Sequence, residues 1–133
     1  KKNKIGLMNA YSPLARRNFY SLAQGFTDYK EDIKTAIKRE VTEETGINLK
    51  KNRFKKICEL YAVQSLINSK LAVFAVKLKD TDKNYSKDVI KEIGVGKLNF
   101  FSFKTLKQML KKPSKFDLVT YSTLCYYLFL TSK

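Results

Sequence analysis

The chain has 133 residues, with 27 Lys and Arg against 12 Asp and Glu and a net charge of +15. That length suits one domain around one core, and no apolar run approaches the roughly 18 residues a membrane span needs. There is no histidine, which excludes His-dependent triads and His-ligated metal sites and leaves base chemistry to a carboxylate, a lysine or a metal-activated water.

In chain order, Ile5 to Tyr11 reads as a strand and Asn18 to Leu22 as a second, short one. The chain begins at Lys1 without Met and is already strand-like there, so a trimmed form lacking an N-terminal segment is expected. Arg16 and Arg17 lie in the loop between the two strands. Residues 25 to 47 read as a loop followed by a helix. Asp28 with Glu31, or Asp32 alone, can cap the helix start, and Gly46 supplies a left-handed stop.

Phe54 to Val63 and Leu71 to Leu78 follow as β-like runs. Lys79 to Lys91 is polar and reads as a loop. Leu98 to Phe103 is strand-like, Lys104 to Lys112 helical up to Pro113, and Phe116 to Leu130 a final helix with Phe116, Val119, Leu124, Tyr127 and Leu128 at mostly helical spacings. The aromatic residues of that last helix read as core packing. Cys58 and Cys125 show no metal or redox spacing, which reads as two buried thiols in a reducing, cytoplasmic setting.

The acidic residues are unevenly placed. Six of the 12 fall between Asp28 and Glu44. On a helical wheel at about 100° per residue, with Glu40 at zero, Ile33 falls near +20°, Ala36 near −40°, Glu44 near +40° and Glu43 near −60°. Lys34, Thr35, Lys38, Thr42 and Thr45 take the other side. Glu40 and Glu44 therefore continue the apolar stripe. Carboxylates turned toward a core are costly unless paired or bound to a metal. An ordinary charged helix would carry such acids on its solvated face, where the lysines already stand. Hard oxygen ligands suit Mg²⁺ or Mn²⁺, and Arg39 can orient Glu43 through an i,i+4 pair.

The same residues fill the pattern G-x5-E-x7-R-E-U-x-E-E-x-G-U, where U is bulky and apolar. Gly25, Glu31, Arg39, Glu40, Glu43, Glu44 and Gly46 occupy the fixed positions, and Val41 and Ile47 the apolar ones. Chance agreement is on the order of 10⁻⁹ per starting point at ordinary residue frequencies. This stretch resembles the Nudix box. The resemblance implies an α/β fold, specifically an α/β/α sandwich with a mixed β-sheet, and a metal-dependent pyrophosphohydrolase that cleaves a nucleoside diphosphate linked to another moiety. It implies Glu40, Glu43 and Glu44 as metal ligands, with the backbone carbonyl of Gln24 or Gly25 completing the site. It places Glu43, Glu44 and Arg39 in the catalytic machinery, with Glu31 and Arg39 fixing the loop against the helix. A further glutamate from a later loop is expected at Glu92, with Asp88 as the fallback. Arg16 and Arg17 are the expected substrate-binding pair.

The positive charge suits a polyanionic substrate. Leu22-Ala-Gln24-Gly25 resembles the entry to the box in dinucleoside-polyphosphate hydrolases and RNA pyrophosphohydrolases, with Ala23 in place of Pro. The run from Ala36 to Gly46 is similar to mRNA-decapping relatives. The expected partner is thus a nucleotide-type small molecule or an RNA 5′ end, with a homodimer left open and no membrane. An ADP-sugar pyrophosphatase and a non-catalytic nucleotide- or RNA-binding module are the alternatives.

Overall fold

The computed structural model describes residues 3–63, 67–83 and 96–131. It contains both helices and antiparallel strands, and it divides into two compact units, 1–23 with 90–133 and 24–89.

In the first unit, β1 (Lys4–Ser12) pairs antiparallel with β2 (Arg17–Ser21) on one side and with β5 (Asn99–Ser102) on the other, giving the order β2-β1-β5. The register sets Asn9 opposite Tyr20 and Leu7 opposite Asn99. Because strand side chains alternate, Ile5 and Leu7 share a face with Tyr20 and Phe101. That face meets α2 (Phe103–Met109) and α3 (Leu118–Leu130) in a core of Leu7, Leu106, Phe116, Leu124 and Leu128. Tyr20 packs edge-on to Phe101, with centroids 5.6 Å apart.

Side-chain oxygens start both helices. Ser102 accepts from the Thr105 amide at 3.1 Å, and Asp117 from the Thr120 amide at 2.8 Å. The Thr120 hydroxyl in turn accepts from the Leu22 amide at 3.0 Å, anchoring the end of β2 to α3. Helix α2 stops at Met109 rather than running to Lys112, since a residue preceding proline is disfavoured in helical geometry and Pro113 opens a short 3₁₀ turn to Lys115.

The second unit holds α1 (Ile33–Thr45) and a hairpin of β3 (Lys55–Val63) and β4 (Ile67–Ala75). Strand β4 begins earlier than its apolar run suggests and ends earlier too. Its polar start is tolerated because Lys70 sits opposite Tyr61 and its ammonium bonds Glu59 of β3 at 2.6 Å. Its end is set by Lys55, the first residue of β3, which faces Ala75. The expected polar loop opens with a 3₁₀ turn, Asp80–Lys83. Arg53 grips Asp82 with two bonds of 2.8 Å and also reaches the Lys77 carbonyl at 2.5 Å.

Every strand ladder among the described residues is antiparallel, and the parallel element of the expected mixed sheet is confined there to a bridge between Tyr20 and Phe116. No helix of the described residues is long and apolar enough to cross a membrane. One expectation fails in α3. Cys125 is exposed and Cys58 only half-buried. Leu124 takes the inward position of that turn, so its neighbour Cys125, about 100° further round, faces out.

Candidate metal and anion site

Asp32 is the cap that starts α1. Its carboxylate accepts from the Thr35 amide at 3.2 Å and from the Thr35 hydroxyl at 3.2 Å. Gly46 ends the helix with φ 72°, and its amide donates to the Thr42 carbonyl at 2.9 Å. A side chain with a Cβ is strained in that left-handed region. Past this stop, Ile47 and Leu49 are buried, and the Ile47 amide donates to the Thr45 hydroxyl at 3.2 Å. Thr45 is consequently buried, against the wheel, and its hydroxyl donates to the Val41 carbonyl at 2.5 Å. Ile33, expected inside, is exposed in the first turn. Ala36 holds the inward position instead.

The carboxylates follow the wheel more closely. The Glu40 side chain is only 15% exposed, Glu44 is partly buried, and Glu43 is 45% exposed. Two backbone contacts bring the preceding loop onto them. The Gln24 amide donates to Glu44 Oε2 at 3.1 Å. Gly25 lies so close to Glu40 that a Cβ there would stand 2.0 Å from the carboxylate carbon. Gly25 leaves room for the Glu40 carboxylate, which would have to shift to admit a Cβ, and its own backbone angles are ordinary.

Arg39 organises the site. Its Nε and Nη2 donate to the two oxygens of Glu31 at 3.2 and 3.0 Å, a bidentate pair. Nη2 also donates to the Phe26 carbonyl at 2.9 Å. Nη1 donates to Glu40 Oε1 at 2.8 Å and to Glu43 Oε2 at 3.2 Å. One planar guanidinium thus ties the loop at Phe26, the acid at its end and two acids of the helix. The hydrogen bond from Arg39 pulls the Glu31 carboxyl below its ordinary range, helped by the Asp28 amide, while Glu31 and Glu40 raise the guanidinium above its own. Both shifts favour the charged forms.

No group of three acidic or cysteine side chains among the described residues is gathered as a ready metal cage. The acids gather around Arg39 instead. The donor set nevertheless suits a hard cation, since Glu40 and Glu44 supply carboxylate oxygens from successive turns and the loop at Gln24 and Gly25 is pressed against them. A shallow depression of about 220 Å³ lies beside Glu43, lined by Lys38, Arg39, Thr42, Glu43 and Asn48. That is smaller than pockets that enclose a drug-sized ligand, and of a scale for a phosphate group.

The structure brings together Gly25, Arg39, Glu40, Glu43 and Glu44. Arg16 and Arg17 belong to the other unit. Arg16 occupies a turn with φ 50°, and Arg17 opens β2 with its guanidinium 5.1 Å from the centre of the Phe19 ring. Glu92 and Asp88 lie outside the described residues. Sequence reasoning passed over Phe26, Tyr29 and Lys30, which fill variable positions of the pattern. Two aromatics in a polar, acidic loop were the available signal.

No known family model matches the chain, and no curated protein sequence matches it.

Proposed function

We propose that this chain is a Nudix-type pyrophosphohydrolase of α/β/α sandwich class, dependent on Mg²⁺ or Mn²⁺, that cleaves a phosphoanhydride in a nucleoside-diphosphate-linked substrate. The observation that carries the reading is the closeness of Gly25 to the carboxylate of Glu40, with the Gln24 amide on Glu44. A loop pressed this tightly onto two inward acids needs a role for those acids beyond solvation.

Glu40 and Glu44, with the backbone at Gln24 and Gly25, are the residues that would hold the cation, and Glu43 is the more exposed acid beside them. When bound, the metal supplies charge neutralisation on the diphosphate and a more acidic water. The chain's own part is positional and electrostatic. Arg39 fixes one oxygen each of Glu40 and Glu43 and leaves the second oxygen of each for other partners. The Gln24 amide sets the angle of Glu44. Lys38, which lines the depression next to Glu43, offers positive charge to an anion there, while the Arg39 donors are already engaged by Glu31, Glu40, Glu43 and the Phe26 carbonyl. A group held to within a fraction of an ångström contributes far more than a mobile one, because a misplacement of about 1 Å can cost about 100-fold in rate.

The test is a metal-dependent hydrolysis screen over nucleoside triphosphates, dinucleoside polyphosphates, ADP-sugars and 5′-triphosphorylated RNA. Glu44→Gln is expected to lower kcat by at least about 100-fold, the loss typical of one electrostatic contact to the reacting group, with an unchanged circular-dichroism spectrum. Full activity in that variant ends the role assigned to Glu44.

A second reading, a nucleotide-binding module without turnover, is favoured by one observation. Arg39 already neutralises Glu40 and Glu43. It predicts binding without product across the whole panel.

A further inference from the structure

The loop that covers the carboxylates also presents two aromatic rings to solvent. Phe26 is 86% exposed and Tyr29 90% exposed. Neither ring contributes to a core, yet the backbone beneath them is well tied. Arg39 holds the Phe26 carbonyl at 2.9 Å. The Asp28 amide donates to Glu31 Oε2 at 3.0 Å, and the Glu31 amide returns to the Asp28 carbonyl at 3.0 Å, closing a turn with Tyr29 and Lys30 at its tip. Lys30 adopts φ 62°, a left-handed conformation that turns usually reserve for Gly or Asn. Its ammonium stands 5.1 Å from the centre of the Tyr29 ring, within cation–π range.

Exposed rings on a fixed backbone, beside a cation and in the loop that lies close against the Glu40 carboxylate, have the composition of a nucleobase stacking platform. We propose that Phe26 and Tyr29 stack a nucleobase of the substrate whose phosphates are engaged at Glu40 and Glu44, with Lys30 facing its phosphate or ribose edge. This rests on the hydrolase reading above and extends it by naming what the site recognises. A π-face is common to all bases, so the platform selects nucleotides over base-free polyphosphates without choosing among bases. The charge of +15 favours the same class of ligand.

Binding is measured by fluorescence anisotropy in Mg²⁺, in the Glu44→Gln background to suppress turnover, with a fluorescein-labelled single-stranded RNA carrying a 5′-triphosphate. Adding Phe26→Ala and Tyr29→Ala is expected to weaken binding by about tenfold or more, the scale of losing one or two stacked bases. Tyr29→Phe restores the affinity, because the π-face is kept. Competition by a nucleoside triphosphate separates the sources. Parallel weakening of the competitor assigns the platform to the nucleotide's own base, and weakening of the strand alone assigns it to a base further along an RNA.

The proposal is overturned if the doubly substituted protein binds strand and mononucleotide within twofold of its parent, or if the wild-type protein binds neither. The hydrolase reading fails separately. A wild-type protein that turns over no substrate but loses strand binding on Phe26→Ala and Tyr29→Ala keeps the platform and discards hydrolysis. One that hydrolyses nucleotides with KM unmoved by those substitutions keeps hydrolysis and discards the platform.

Discussion

Arg39 shows why residue identity at a charged position matters. The five N–H donors of its planar guanidinium reach three carboxylates and one carbonyl. A lysine has one point charge and cannot hold that set of angles. Gly25 is the complementary case, where the requirement is absence of volume. Gly25→Ala places a methyl group where the Glu40 carboxylate stands, so that carboxylate must shift against the 2.8 Å bond by which Arg39 holds one of its oxygens. The expected outcome is a folded protein with kcat reduced about 100-fold, the scale of a 1 Å displacement, read from steady-state kinetics against Glu44→Gln. Wild-type turnover in Gly25→Ala would mean that the loop and Glu40 part easily, against the closeness seen here.

At the level of elements, α1 depends on its two ends because its apolar stripe is short. Asp32 closes the first turn, and its replacement by alanine is expected to cost about 1 kcal/mol, measured by urea denaturation. The hairpin and its following turn are held differently, by charge. Arg53 beside Asp82, with the Lys79 amide, holds the Asp82 carboxyl at about 2, below the 3.8 ordinary for aspartate. A depressed folded-state value contributes stability above the unfolded value and loses it as pH falls through the folded one. Asp82→Asn should therefore be less stable than the parent at pH 7, with the gap closing between about pH 4 and pH 2. Glu59, lowered by Lys56 and Lys70, acts in the same direction. Urea midpoints at a series of pH values check this, and a gap that persists at pH 2 would assign the loss to packing.

For the whole molecule, the governing number is the charge of +15. So many like charges repel one another, and salt screens them with a Debye length near 10 Å at 0.1 M. The melting temperature is expected to rise as NaCl goes from about 10 to 150 mM, where the Debye length falls from about 30 to 8 Å. The local pairs Arg39–Glu31 and Arg53–Asp82 lose a little over the same range, so a net rise means that long-range repulsion outweighs them. Affinity for an RNA end should move oppositely and steeply, since phosphate contacts release counterions. A salt-independent affinity would exclude nucleic acid as the principal ligand.

What the chain order alone determined here is local. A period of 3.6 residues, a capping aspartate and a glycine stop are enough to place α1 and to turn Glu40 and Glu44 inward, because each rule acts over a few residues. The pattern from Gly25 to Ile47 carries the functional reading for the same reason. The tertiary structure decided matters that depend on distant or backbone-mediated contacts. It gave Arg53 a partner 29 residues away in Asp82, moved β4 toward its amino-terminal end through the Lys70–Glu59 pair, buried Thr45 beneath the returning chain and turned Cys125 outward. It also joined Glu31, Glu40 and Glu43 through Arg39 and left Phe26 and Tyr29 exposed. Residue spacing constrains which side chains share a face, but which of them find partners is set by three-dimensional proximity and by competition for a limited number of hydrogen-bond donors.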